Sequence, residues 1–188
     1  MPLRFNEKKA TQTAAMFLRL AGNRLNYMVL IKYLYLTDRE ALSLWARPVT
    51  NDEYFSMKMG PVLSHVLNLS TEMPAPDDET YWSRYISAPS NYEIRLTADP
   101  GNDQLSEAED ELISRIYDKY KEYKDRPFDF VKHLHSILPE WEQIQEGRRP
   151  IALRAILLAA KKSIEEINQI EDDLAQVNFV HSFFGAPD

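Results

Sequence analysis

The sequence predicts a mainly α-helical fold, a compact helical bundle with one small antiparallel β-hairpin. Three observations carry that expectation. Apolar residues recur at helical spacing through most of the chain, prolines, glycines and capping residues cut the runs into separate helices, and a period of two appears in one place only. With 188 residues, 44% of them hydrophobic, the chain has the length and apolar content of a single domain with a sizeable core.

Asn6 is placed to cap a first helix in which Ala10, Ala14, Phe17, Leu18 and Ala21 fall on one side, and Gly22-Asn23 ends it. Asn26 opens a second, Tyr27 to Leu36, that is apolar almost all round and so belongs in the middle of the bundle. Its polar end, Thr37-Asp38-Arg39-Glu40, returns to an amphipathic pattern before Arg47-Pro48 breaks the run. The stretch Tyr54 to Met59 is compatible with strand or weak helix. Gly60-Pro61 reads as a turn with proline at the first position of a helix through Val62, Leu63, Val66 and Leu67. Thr71 to Glu79, with Pro74, Pro76, Asp77 and Asp78, reads as a surface loop.

The period then changes. Tyr81, Ser83 and Tyr85 alternate with Trp82, Arg84 and Ile86, and Tyr92, Ile94 and Leu96 with Glu93, Arg95 and Thr97, so the two runs are expected to pair across Ala88-Pro89-Ser90-Asn91. Ser106 and Glu109 form a capping box ahead of Leu112, Ile113, Ile116, Tyr117 and Tyr120. Pro127 starts a helix through Phe130, Val131, Leu134 and Leu138, ended by Pro139. Pro150 heads another, and Ser163 with Glu166 either caps a last helix or lies within it. Ile164, Ile167, Leu174 and Val177 form a near-heptad stripe able to dock on the body or on another copy. The apolar tail, Asn178 to Gly185, is expected to pack.

Composition excludes several classes of function. Without cysteine there is no disulfide scaffold, no thiolate zinc site and no thiol nucleophile. The N-terminus lacks the apolar core of a signal peptide, and the run from Tyr27 to Leu36 is too short to span a bilayer, so a cytoplasmic protein without membrane contact is expected. Twenty-two basic against 29 acidic residues leave a net charge of −7, which disfavours a phosphate-binding surface and suits a basic partner. The basic spots Arg148-Arg149 and Lys161-Lys162 are small.

The four histidines show no ligand spacing, because His133 and His135 point to different helix faces and His65 and His181 stand alone. No Gly-x-Ser-x-Gly elbow and no phosphate-cradling glycine loop is present. Neither a catalytic residue nor a cofactor or metal is therefore expected, and Thr37 to Glu40 reads as a helix-end ion-pair network. Two helices around Gly22-Asn23 mimic a helix-turn-helix, but the second is too apolar to lie in a DNA groove. Aromatic residues make up 11%, and Trp82, Tyr85 and Trp141 sit where edges of the fold are expected, within reach of a partner.

Three blocks resemble a known family. Leu30-Ile31-Lys32-Tyr33-Leu34-Tyr35-Leu36-Thr37-Asp38-Arg39-Glu40 is similar to the opening helix of the SocA-like antitoxins, the Panacea domain. Arg47-Pro48-Val49-Thr50, Tyr54 and Gly60-Pro61-Val62 follow in the family's order, as does His135 with Pro139-Glu140-Trp141. The resemblance implies a phage-associated or bacterial antitoxin that neutralises a co-encoded protein toxin by direct binding, without catalysis. Lys32, Tyr35, Asp38, Arg39, Gly60, Pro61, His135 and Trp141, with Trp82 of the hairpin, are the candidate motif or partner-binding residues. It divides a single domain, 1–188, into a family-like core, 26–141, and a C-terminal helical extension, 142–188, expected to pack on the core and to offer a homo-oligomer contact. The alternative functions are a DNA-binding regulator of its own operon and a metal-dependent hydrolase using Asp38, Glu40 and His135.

Overall fold

The computed structural model describes residues 4–72 and 79–184, and within them the fold is mainly helical with two small antiparallel sheets. Helix α1, Glu7–Leu20, begins where Asn6 Oδ1 accepts the Lys9 N–H at 3.0 Å, and Gly22 and Asn23 follow its end with positive φ. Strand β1, Arg24–Asn26, leads directly into α2, Tyr27–Trp45, whose first turn is capped by Asn26. Val29 through Asp38 are all buried, so α2 is the axis about which the other elements pack, as its all-round apolar sequence requires.

After α2 the chain forms a hairpin of β2, Tyr54–Met57, and β3, Gly60–Leu63, followed by α3, Ser64–Thr71. A two-residue strand, β5, Arg149–Pro150, pairs with the other edge of β2 and closes a three-stranded sheet in the order β3-β2-β5. Both prolines of this sheet, Pro61 and Pro150, lie on its edge strands, where a missing N–H costs no ladder bond. Gly60-Pro61 thus opens a strand and not a helix. Gly60 has φ +96°, which lets the chain leave the Lys58-Met59 turn straight into β3.

The hairpin expected from Tyr81–Ile86 and Tyr92–Thr97 does not form. Tyr81–Tyr85 is a short helix, α4, with a reciprocal Thr80–Ser83 capping box, and the Trp82 N–H donates to Glu7 Oε1 from α1. The alternation there has a different cause: one large side chain, Trp82, turns inward and its neighbours turn outward. The second run does make a strand, β4, Glu93–Arg95, but its partner is β1, in the register Arg24↔Arg95, Leu25↔Ile94 and Asn26↔Glu93. The two runs meet at their far ends, through the bridge Ile86↔Leu96 and the Thr97 N–H, which donates to the Tyr85 carbonyl at 2.8 Å.

Helix α5, Glu107–Tyr120, carries the expected Ser106–Glu109 box, and Glu109 also pairs with Lys9 of α1 at 2.7 Å. Helix α6, Pro127–Ile137, starts on its proline and packs Phe130 against Tyr33, Tyr120 and Tyr123. Helix α7, Leu153–Ala159, contacts α2 and then α8, Ile164–Phe184. Ser163 and Glu166 do form a reciprocal box, so the chain turns between α7 and α8 instead of running through. Ile156, Leu157, Ile167 and Ile170 join the same core as α2. Farther along α8 the expected packing of the tail fails for Val180, which is exposed; the side chains from His181 on lie outside the described residues, as do Pro74, Pro76, Asp77 and Asp78 of the expected surface loop.

Candidate functional site

Lys32, Tyr35 and Asp38 follow one another at three-residue steps and Arg39 lies four residues after Tyr35, so α2 presents them along one side. The three family-like blocks close over that side. Asp38, fully buried, collects four donors: Oδ1 accepts the Val49 and Thr50 N–H groups, each at 2.9 Å, and Oδ2 accepts the Thr50 hydroxyl at 2.5 Å and the Tyr54 hydroxyl at 3.1 Å. Burial pushes its carboxyl up to about 6, against the downward pull of these hydrogen bonds. Tyr54 is driven far up in turn, by burial first and then by the neighbouring Asp38 charge. The loop after α2 and the start of β2 are therefore tied to the bundle axis through one carboxylate.

Glu140 does the same for the third block. Its Oε1 accepts the Tyr35 hydroxyl at 2.9 Å and Arg39 Nε at 2.6 Å, while Oε2 receives Arg39 Nη2 at 3.4 Å. The carboxylate is wholly buried and the guanidinium is mostly so, a geometry in which paired charge and hydrogen bonds offset desolvation. Next to Glu140, Trp141 stacks on His135 with ring centroids 3.6 Å apart, and its indole N–H donates to the Met57 carbonyl at 3.0 Å.

Lys32 is the outlier of the site. It is 1% exposed, forms no ion pair among the described residues, and donates to the Pro61 carbonyl at 2.6 Å. Desolvation lowers its ammonium to about 7. A Cβ on Gly60 would lie 3.2 Å from Lys32 Nζ and 3.4 Å from His135 Nε2, so the bare glycine backbone makes room for both. His135 Nε2 is buried with no hydrogen-bond partner among the described residues, and burial, then the Lys32 charge, shifts its imidazole below the usual range. Lys32, Gly60-Pro61, His135 and Trp141 form one compact cluster behind the β2–β3 turn.

Eight of the nine candidate residues thus come together around α2; Trp82 does not. It lies in α4 against α1, 1% exposed, and the expectation that a partner reaches it at an edge is corrected: the helix that replaces the strand turns its ring inward. Trp141 is half-buried, held by His135 and Met57. Asp38 and His135, which a hydrolase would join with Glu40, have separate partners, and among the described residues no three His, Asp or Glu side chains converge on a point that could hold a metal. Within this site both buried carboxylates already have their hydrogen-bond donors. Its chemistry is that of a clasp.

Several participants escaped sequence reasoning. Glu140, Thr50 and Tyr54 belong to the family-like blocks, and that membership was their one signal. Asp52 had none: its Oδ1 and Oδ2 accept the His65 and Val66 N–H groups and so cap α3 from a distance, and His65 Nδ1 lies 2.8 Å from Oδ1 with its ring stacked on Phe5. Three of the four residues of the small basic spots are engaged internally: Arg148 lies over the Phe55 ring and donates to Ser64, Arg149 pairs with Glu142, and Lys162 with Glu166.

Among the described residues, no helix is long and apolar enough to cross a membrane. Residues 30–142 match the model of the family described as antitoxin SocA-like, Panacea domain. The match begins in α2 and ends just after Trp141, so it contains all three blocks and stops before α7 and α8. No curated protein and no solved structure gives a significant match.

Proposed function

The chain belongs to the SocA-like antitoxin, Panacea-domain family, and from that premise we propose that it neutralises a co-encoded protein toxin in the cytoplasm by binding it directly. The observation that carries this reading is the family match over 30–142, whose blocks meet in the clasp on α2. In such a protein the clasp is scaffold: it holds the loop after α2, the β2–β3 hairpin and the Glu140 segment in fixed positions, so that the outer surface arrives at the toxin preorganised. Binding occludes the toxin and needs no chemistry from this chain. The family is one of antitoxins, and its membership brings no catalytic activity with it.

The chain acts as one domain, 1–188, with residues 142–188 as an extension on the core 26–141, and contact between copies through the last helix remains the second way its surface could be used. Co-expression with the product of the adjacent gene tests the proposal. Growth arrest by that product alone, relief by this chain, and a complex that survives purification are expected. A harmless neighbour, or a toxic one that this chain neither relieves nor binds, would defeat it.

A further inference from the structure

We propose that the distal half of α8 is the surface that docks the partner, and that the partner presents an apolar groove with a basic rim. The inference rests on the antitoxin reading and adds to it the place of contact. Helix α8 has two unlike halves. From Glu165 to Asp173 it carries five acidic residues, and from Ser163 to the end of the chain there is no Lys or Arg. From Leu174 to Phe184 no Asp or Glu occurs and the apolar residues crowd together.

The first half is seated. Ile167 and Ile170 are buried in the core, Leu174 packs against it, Arg154 of α7 pairs with Glu171 at 2.7 Å, and Lys162 with Glu166 at 3.5 Å. The face of the second half that carries Val177 and Val180 is not: Ala175, Gln176, Val177 and Val180 are exposed, Val177 at 46% and Val180 at 49%. Asp173, Gln176, Val177 and Val180 line one shallow depression of about 440 Å³, at the spacing of a single helix face. A helix laying such a face into a groove is a recurring mode of recognition, read through anchors at these steps. The extension also lies beyond the residues that match the family, which makes it a feature of this chain that the common core does not require.

Charge decides between occupants. Glu165 and Asp172, seven residues apart and so on one side of the helix, make no ion pair among the described residues. A second copy would set this acidic helix against another with no basic residue on either to answer it, in molecules that each carry a net −7. A partner with Lys and Arg beside an apolar groove meets both halves at once, and opposite potentials speed its encounter.

The test uses the full chain and the product of the adjacent gene, with binding measured over a salt series. The variants are V177Q/V180Q, which removes the apolar anchors, E165K/D172K, which reverses the unpaired charges, and E111K/D118K on α5 as a control; circular dichroism and thermal melts check that each is folded. The inference expects each α8 pair to weaken binding by at least about tenfold, the control to stay within about threefold, and wild-type affinity to fall as salt rises. Wild-type binding that both α8 pairs retain overturns the inference and leaves the antitoxin reading standing. A wild-type chain that binds nothing overturns both. Dimers of this chain alone that V177Q/V180Q dissolves assign the face to a second copy instead.

Discussion

Lys32 couples its own protonation to the fold, because the unfolded chain offers its ammonium water and the folded chain offers one carbonyl. Its folded pKa, about 7, lies below the ordinary 10.5, so between those values the unfolded state binds more protons and stability rises with pH. The contribution is fully present above about 10.5 and is lost as pH falls to about 7. Lys32→Met keeps the volume and removes the charge, and is expected to stabilise the protein at pH 7 by about 1–3 kcal/mol after the lost Pro61 hydrogen bond is set against it. In urea titrations the advantage of Lys32→Met over wild type should shrink steadily from pH 7 toward pH 10; an advantage independent of pH would refute the linkage. Asp38 behaves oppositely under truncation. Asp38→Ala leaves the Val49 and Thr50 amides and the Thr50 and Tyr54 hydroxyls without their acceptor, and should cost about 3–5 kcal/mol, measured as a shift of the urea midpoint at unchanged slope.

At the scale of elements, α4 is the clearest case of a local pattern overruled by context. Five residues make a helix too short to persist alone, and it is held by the Thr80–Ser83 box, by the Glu7 carboxylate from α1, and by Trp82 wedged into the core. Trp82→Ala should therefore cost about 3–5 kcal/mol. Because β1–β4 meets the end of α4 through a few hydrogen bonds around the Ile86↔Leu96 bridge, such as Thr97 N–H to the Tyr85 carbonyl and Ser87 N–H to the Arg95 carbonyl, hydrogen exchange should accelerate first in residues 81–86, with less change at Glu93–Arg95. Equal acceleration in both would mean that they unfold as the single hairpin their alternation suggests. Helix α8 is divided in the same physical sense: its capped, seated first half should exchange slowly and its distal half fast, since exposed apolar side chains contribute little burial.

At the scale of the molecule, the net charge of −7 and the acidic α8 should speed association with a basic partner at low salt. Raising ionic strength from about 0.05 to 0.5 M is expected to slow the on-rate by about tenfold or more while the off-rate changes little; a salt-independent on-rate would argue against electrostatic steering. The helical class, the start of α1 at Asn6, the capping box of α5 and the buried character of α2 were legible in the sequence, because periodicity and caps are properties of neighbours in the chain. So were Lys32, Tyr35, Asp38 and Arg39 of the clasp, through the order of the three blocks. The strand at Gly60-Pro61, the partner of β4, the inward turn of Trp82 and the remote capping of α3 by Asp52 were decided by tertiary structure alone. In each, the deciding contact joins groups distant in the chain or swaps one way of satisfying a backbone group for another of similar energy. Local sequence determines which residues want burial or a hydrogen bond; only the packed molecule settles which partner supplies it.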